Sequence, residues 1–162
     1  MIVISDTTPL SNLLQIGEID LLPQLFTHII IPTLVFEELS ILKKRGFAID
    51  ALKTIEWLTV QSPGVQSNQI IKELQDLLDP GESHAIALAI ELQADYLLMD
   101  EKEGRRVART KELPIIGTLG VLLEAKQEGL ISSVREKMDA LRAIHCWIGE
   151  ELYQQVLKLA KE

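Results

Sequence analysis

The chain has 162 residues, enough for one domain with a substantial core. Its 47% apolar and 25% charged content is that of a soluble globular protein and argues against global disorder. With a formal net charge of −8 and a single cysteine, Cys146, it is neither a protein held to nucleic acid by bulk basicity nor a disulfide-built scaffold.

Residues 2–5 predict a short buried strand. From Pro9 to Gly17 the sequence reads as a helix, with Pro9 in the first turn and Gly17 as the stop. The stretch DLLPQLF is a short turn or helix, and HIIIP (28–32) is a second buried strand ended by Pro32. A helix over 33–46 has Gly46 as its cap. Weaker strand character marks EWLTVQ (56–61). The window 67–78 is amphipathic, with Ile70, Ile71, Leu74, Leu77 and Leu78 on one side. After the break at DPG (79–81) comes a nearly all-apolar, alanine-rich helix over 82–93, buried on most sides. YLLM (96–99) is a strand running into Asp100, followed by a helix over about 103–110. LPIIG (113–117) is a further strand, and a helix over 118–128 stops at Gly129. Residues 131–161 predict two helices. Their Leu141, Ile144, Ile148, Leu152, Val156 and Leu159 are spaced to pack on the core. Short, continuous apolar runs alternating with helices indicate a mostly parallel sheet covered on both faces. Apolar stretches are cut by Glu91, Gln93 and Asp95 well before 18 residues, so no membrane span is expected. The first residues lack a basic region followed by a long apolar stretch, so the expected location is the cytoplasm.

Ligands of open α/β sheets sit beyond the carboxyl ends of the strands. Asp6 falls there after the first strand, and Asp100, with Glu101 beside it, falls there after YLLM. Glu82 opens the buried helix. Glu38 lies closer than Glu37 to the side of its helix that Val35, Leu39 and Leu42 would bury. Each acid also has a purely local reading: a helix cap for Asp6, a favourable helix N-terminus for Glu82, solvated surface for Glu38. Together they would repel, at roughly 4 kcal/mol per pair of charges about 4 Å apart in an effective dielectric near 20. A divalent cation is the usual compensation. An all-oxygen donor set selects Mg²⁺ or Mn²⁺ and suits metal-assisted hydrolysis of a phosphodiester. Thr7 stands beside Asp6 as a supporting hydroxyl.

On these residues the chain resembles PIN-domain proteins, in the uncharacterised branch related to VapC-like toxin nucleases. The resemblance is carried by VISDTTPLSNL (3–13), IPTLVFEEL (31–39), DPGESHAIALAIELQADYLLMDEKEGRRVA (79–108) and LPIIGTLGVLLEAKQEGLI (113–131). It implies a three-layer α/β/α sandwich with a mostly parallel sheet of four or five strands. Residues 1–162 would then form a single domain, with 132–162 as a helical C-terminal extension. It implies a Mg²⁺- or Mn²⁺-dependent ribonuclease centre in which Asp6, Glu38, Glu82 and Asp100 match the family acids, with Glu101 as the other candidate after the strand. It also implies a homodimer and, for a toxin of this kind, a small antitoxin protein as partner. His84 and Met99 stand where the commoner family pattern has other residues. They support an alternative in which the domain is inactive and binds nucleic acid or protein. Basic residues after Asp100, among them Arg105, Arg106 and Arg109, offer a face for RNA phosphates. With only 4% aromatics, base stacking is not expected as the main mode of recognition. A haloacid-dehalogenase-type phosphotransferase wants a second aspartate where Thr8 stands, and no glycine-rich phosphate loop is present.

Overall fold

The computed structural model describes residues 1–162. Five strands, β1 (Val3–Ser5), β2 (Ile29–Ile31), β3 (Leu58–Val60), β4 (Tyr96–Leu98) and β5 (Ile115–Ile116), form one sheet in the order β3-β2-β1-β4-β5. Every neighbouring pair is parallel. Side chains alternate across such a sheet. Val3, Ile29, Ile31 and Leu98 accordingly face one layer, while Ile4, Leu97 and Met99 face the other. These strands read as continuous apolar runs, not alternating ones, because helices cover both faces of the sheet.

The first layer contains α1 (Thr7–Gln15), α2 (Leu21–Phe26), α3 (Thr33–Leu39) and α7 (Thr118–Gln127). It is completed by α8 (Val134–Ala143) and α9 (Glu150–Leu159). The second contains α4 (Asn68–Gln75), α5 (Pro80–Glu91) and α6 (Lys102–Thr110). The fold is therefore the expected α/β/α sandwich with an all-parallel five-stranded sheet. Helices α8 and α9 put Val134, Met138, Leu141, Tyr153, Val156 and Leu157 into the same apolar cluster as Val3 and Leu10, so residues 132–162 complete one layer of the core.

Several boundaries differ from the sequence reading. The helix expected over 33–46 is α-helical only to Leu39, and Ser40–Arg45 continues as a 3-10 turn that Gly46 ends in the left-handed conformation, φ +87°. Residues Ile49–Thr54 form a second 3-10 turn that burial of Ile49 and Leu52 holds in place. Leu77 does not join the apolar side of α4. That helix ends at Gln75, and Leu77 is 60% exposed in the turn that follows. Leu152 and Leu159 likewise point outward, whereas Leu141, Ile148 and Val156 are buried.

In the sheet order, chain connections run from β1 outward to β3 on one side and from β4 outward to β5 on the other. The direction reverses between β1 and β4, and a crevice opens there at the carboxyl ends. Asp6 and Asp100 leave their strands at this reversal.

Candidate active site

Asp6 is 3% exposed, follows β1 directly, and is the residue preceding the first turn of α1. Its backbone N–H donates to the Leu98 carbonyl, 2.9 Å, which ties it to the end of β4. Its side chain makes no capping bond, so the reading of Asp6 as a helix cap is not what the structure shows. Burial is the main reason its carboxyl is pushed up from 3.8 to about 8. The charges of Glu82, Asp79 and Glu38 add to the effect, and the Thr7 backbone N–H opposes it.

Glu38 is exposed along α3 but its head reaches the crevice, where Thr7 Oγ1 donates a hydrogen bond to Oε2. The same carboxylate lies over the start of α5. A methyl group at Gly81 would overlap it, so the glycine is what allows this approach.

Glu82 is 7% exposed and forms a reciprocal cap with Asp79. The Glu82 N–H donates to Asp79 Oδ1, 2.8 Å, and the Asp79 N–H donates to Glu82 Oε2, 3.2 Å. Both its local and its cluster readings therefore hold at once. One oxygen completes the helix start, and the other faces α6, 3.2 Å from where a Cβ on Gly104 would stand. Desolvation raises the Glu82 carboxyl, and Asp79, Glu101 and Glu38 raise it further. Asp79 was not picked out in the sequence. It hides in DPG, which reads as a turn, yet its charge acts on both Asp6 and Glu82.

Asp100 sits across the crevice, held by three donors. Thr118 N–H donates to Oδ1 at 2.7 Å, Thr118 Oγ1 to Oδ2 at 2.6 Å, and Asn12 Nδ2 to Oδ2 at 3.3 Å. A Cβ on Gly117 would stand 2.9 Å from Asp100 Oδ1 and 2.8 Å from Arg105 Nη1, so this position also demands glycine. Neither Thr118 nor Asn12 carries a charge or a motif that marks it in the sequence. The one available signal is that GT follows the last strand, at the same sheet edge. Glu101 is exposed, and its charge raises Glu82 and the Cys146 thiol. Burial comes first among the causes that keep Cys146 a thiol, with Asp100 and Glu101 reinforcing it.

The two residues that depart from the family pattern have structural roles. Met99 is fully buried, and its Sδ would lie 2.6 Å from a Cβ on Gly104, so it fills the gap between sheet and α6. His84 is half-buried on α5, where desolvation lowers its proton affinity. Of the three arginines, Arg105 turns inward and donates from Nη1 to the Met99 carbonyl, 2.8 Å. Burial and then the Arg109 charge lower the Arg105 pKa while Asp100 opposes them, and Arg105 lines a cavity shared with Asp100. Arg106 is paired with Glu103 and faces Ile70 and Leu74 of α4, away from the crevice. Of the basic face offered by the sequence, Arg105 thus takes the inner position and Arg106 turns away.

The crevice offers only hard oxygen donors, of the kind Mg²⁺ or Mn²⁺ takes. Glu38 and Glu82 raise the proton affinity of Asp6, and Glu38 also raises that of Glu82, as expected of a cluster built around a positive charge. No three acidic, histidine or cysteine side chains converge closely enough to hold one ion as the rotamers stand. The donor chemistry fits a divalent cation. Closing around one would require the exposed arms of Glu38 or Glu101 to move.

A five-stranded parallel sheet with acids at its topological switch defines an α/β domain whose ligand site is an acidic crevice. The family model of the PIN domain designated DUF3368 matches residues 2–162, and the chain belongs to that family. PIN domains are generally nucleases, and nucleases of this class generally use divalent metals. Among solved structures, the chain is similar to a PilT N-terminus domain protein from the hyperthermophilic archaeon Sulfolobus solfataricus P2. The identity is 21% and the TM-score 0.51, with 77% of this chain and 93% of that one covered, a likeness of fold. No curated protein matches the sequence. No helix is long and apolar enough to cross a membrane.

Proposed function

We propose that this chain is a Mg²⁺- or Mn²⁺-dependent ribonuclease that hydrolyses RNA phosphodiester bonds at the crevice between β1 and β4. The observation that carries the reading is Asp6, buried at the switch point and surrounded by Glu82, Asp79 and Glu38. A protein keeps such a cluster where something other than folding stability requires it.

Asp6, Glu38 and Glu82 would hold the cation, with Asp100 or Glu101 completing the set from the opposite wall. The ion, when bound, supplies Lewis-acid stabilisation of phosphate charge and lowers the pKa of bound water. The chain's own residues do the rest. Thr118 and Asn12 fix Asp100, so one wall of the crevice is preset. Thr7 orients Glu38. Arg105 lies beside Asp100, where it would meet a substrate phosphate against the −8 charge of the whole. Burial of Asp6 and Glu82 removes competing solvent, which strengthens each charge interaction there.

The same proposal extends to a toxin held in check by a small antitoxin, and to a homodimer. Co-purification with the product of an adjacent gene, and sedimentation of the isolated chain, test these two. A second reading is supported by the engaged oxygens of Asp100 and Glu82 and by the unclosed donor set. In it, the domain is inactive and binds nucleic acid or protein.

The deciding experiment compares wild type, Asp6→Asn and Asp100→Asn on a pool of structured and unstructured RNAs with Mg²⁺, Mn²⁺ or EDTA. Cleavage that needs the metal and is lost in both variants supports the ribonuclease. RNA or partner binding without cleavage under any metal supports the second reading.

A further inference from the structure

Beside Asp100 the crevice continues into a cleft of about 480 Å³, within the usual range for small-ligand pockets. Its inner wall is polar, built from Asn12, Asp100, Glu101 and Thr118. The outer wall is apolar, built from Ile144, Trp147, Ile148 and Leu152. That outer wall belongs to the segment between α8 and α9, where the chain reverses sharply through His145 at φ +67°. No lysine or arginine lines the cleft, so it suits an uncharged group flanked by the acids and does not suit a phosphate.

Trp147 is 88% exposed, the most exposed large apolar side chain in the molecule, and it stands at the rim of the cleft. Its ring lies over Gly149, where a Cβ would stand 3.0 Å from Cη2 and 3.5 Å from Cζ3. The glycine lets one edge of the indole rest on backbone and leaves most of the ring to solvent. An indole in that position is a stacking platform without an intramolecular partner.

We infer that this cleft takes a nucleobase of single-stranded RNA, stacked on Trp147, from the nucleotide next to the phosphodiester held at the carboxylate edge. The inference rests on the ribonuclease reading for the class of its ligand. The cleft supplies the two things a base needs and a backbone does not: a flat apolar surface, and hydrogen-bond acceptors lining it. These acceptors are the Asp100 and Glu101 carboxylates and Asn12 Oδ1, since the donors of Asn12 and Thr118 are already given to Asp100. Asp100 and Glu101 are common to the cleft and to the carboxylate edge, so base and phosphate of one nucleotide would lie side by side. The composition suggested that stacking is not the main mode of recognition. One well-placed indole is compatible with that, since it reads a single base.

The test uses the full chain carrying Trp57→Phe, so that Trp147 alone reports, with and without Trp147→Leu. Affinities for a short single-stranded RNA and for the same backbone lacking bases are measured in EDTA. Metal-dependent cleavage of the RNA pool is followed in parallel. The expected result is quenching of Trp147 emission by RNA and not by the abasic strand. Trp147→Leu should weaken RNA binding by about five- to a hundredfold and leave abasic binding unchanged. Cleavage by the parent chain, combined with RNA affinity unaltered by Trp147→Leu, overturns the cleft inference and leaves the ribonuclease standing. A parent chain that neither binds nor cuts RNA removes both. Loss of a dimer on Trp147→Leu with unchanged RNA affinity also overturns the inference and assigns the indole to a second copy of the chain.

Discussion

The two walls of the crevice carry the same functional group in opposite states. On the β1 and α5 side, the charges of Glu82, Asp79 and Glu38 add to burial in holding Asp6 near neutral, and those of Asp79 and Glu38 add to burial in raising Glu82. On the β4 and α7 side, Asp100 receives three hydrogen bonds, all from uncharged donors. One wall is unfinished without a positive charge, and the other is rigid before anything binds. A site divided this way can wait for its cation without losing its geometry, because the reference point is built from neutral donors.

The largest effect that would break this contrast is on cleavage by Asp6→Asn, expected to fall roughly 10³-fold in a metal-dependent assay. The same substitution should stabilise the metal-free protein. An acid whose folded pKa lies above its unfolded value binds more protons when folded, so stability falls as pH rises from about 3.8 to about 8. Each pKa unit is worth about 1.4 kcal/mol, and the buried amide of asparagine takes back part of the gain, so we expect a gain of about 3 kcal/mol at pH 8 that disappears at pH 3 and leaves only the cost of the amide. Denaturant unfolding in EDTA at the two pH values measures it; equal stability of variant and wild type at pH 8 would show the Asp6 wall to be already compensated. On the rigid wall, Thr118→Val removes the side-chain donor to Asp100 Oδ2 and should lower cleavage about 10–100-fold, with Thr118→Ser restoring most of it. Gly81→Ala should separate fold from function. Alanine favours the helix by up to about 1 kcal/mol, while its methyl displaces the Glu38 carboxylate, so the melting temperature holds or rises as activity drops. The smallest effect belongs to Arg106→Ala, which should leave RNA affinity and its salt dependence unchanged, whereas Arg105→Ala weakens both. Equal losses for the two would return Arg106 to the substrate face.

The strands could be read from the sequence because each is a short apolar run ended by a polar residue or a break. Asp6 and Asp100 could be read as strand-end acids for the same reason. Glu82 was legible as an acid at a helix N-terminus and as a candidate for the cluster; the structure adds its reciprocal cap with Asp79. Asp79, Asn12 and Thr118 were not legible. Their importance comes from proximity across residues 6, 12, 79, 100 and 118, and none has a local pattern that distinguishes it from a turn, a helix surface or a helix start. Leu77 and the bent end of α3 show the complementary limit. Periodicity continues through a sequence after the backbone has stopped being helical.

The central strand has a consequence for how the protein comes into being. The Ile2 N–H donates to the Asp95 carboxylate, 93 positions along the chain, and β1 pairs with β4 over the same span. A ribosome adding about 5–20 residues per second has therefore finished β1 seconds before its second neighbour exists. Until Thr118 has also emerged, Asp100 lacks two of its three donors. A shortened product of translation would carry Asp6 and Glu38 but no crevice. The assembled crevice is then a property that only near-complete synthesis confers, and it depends on a long-range parallel pairing of the kind that slows folding.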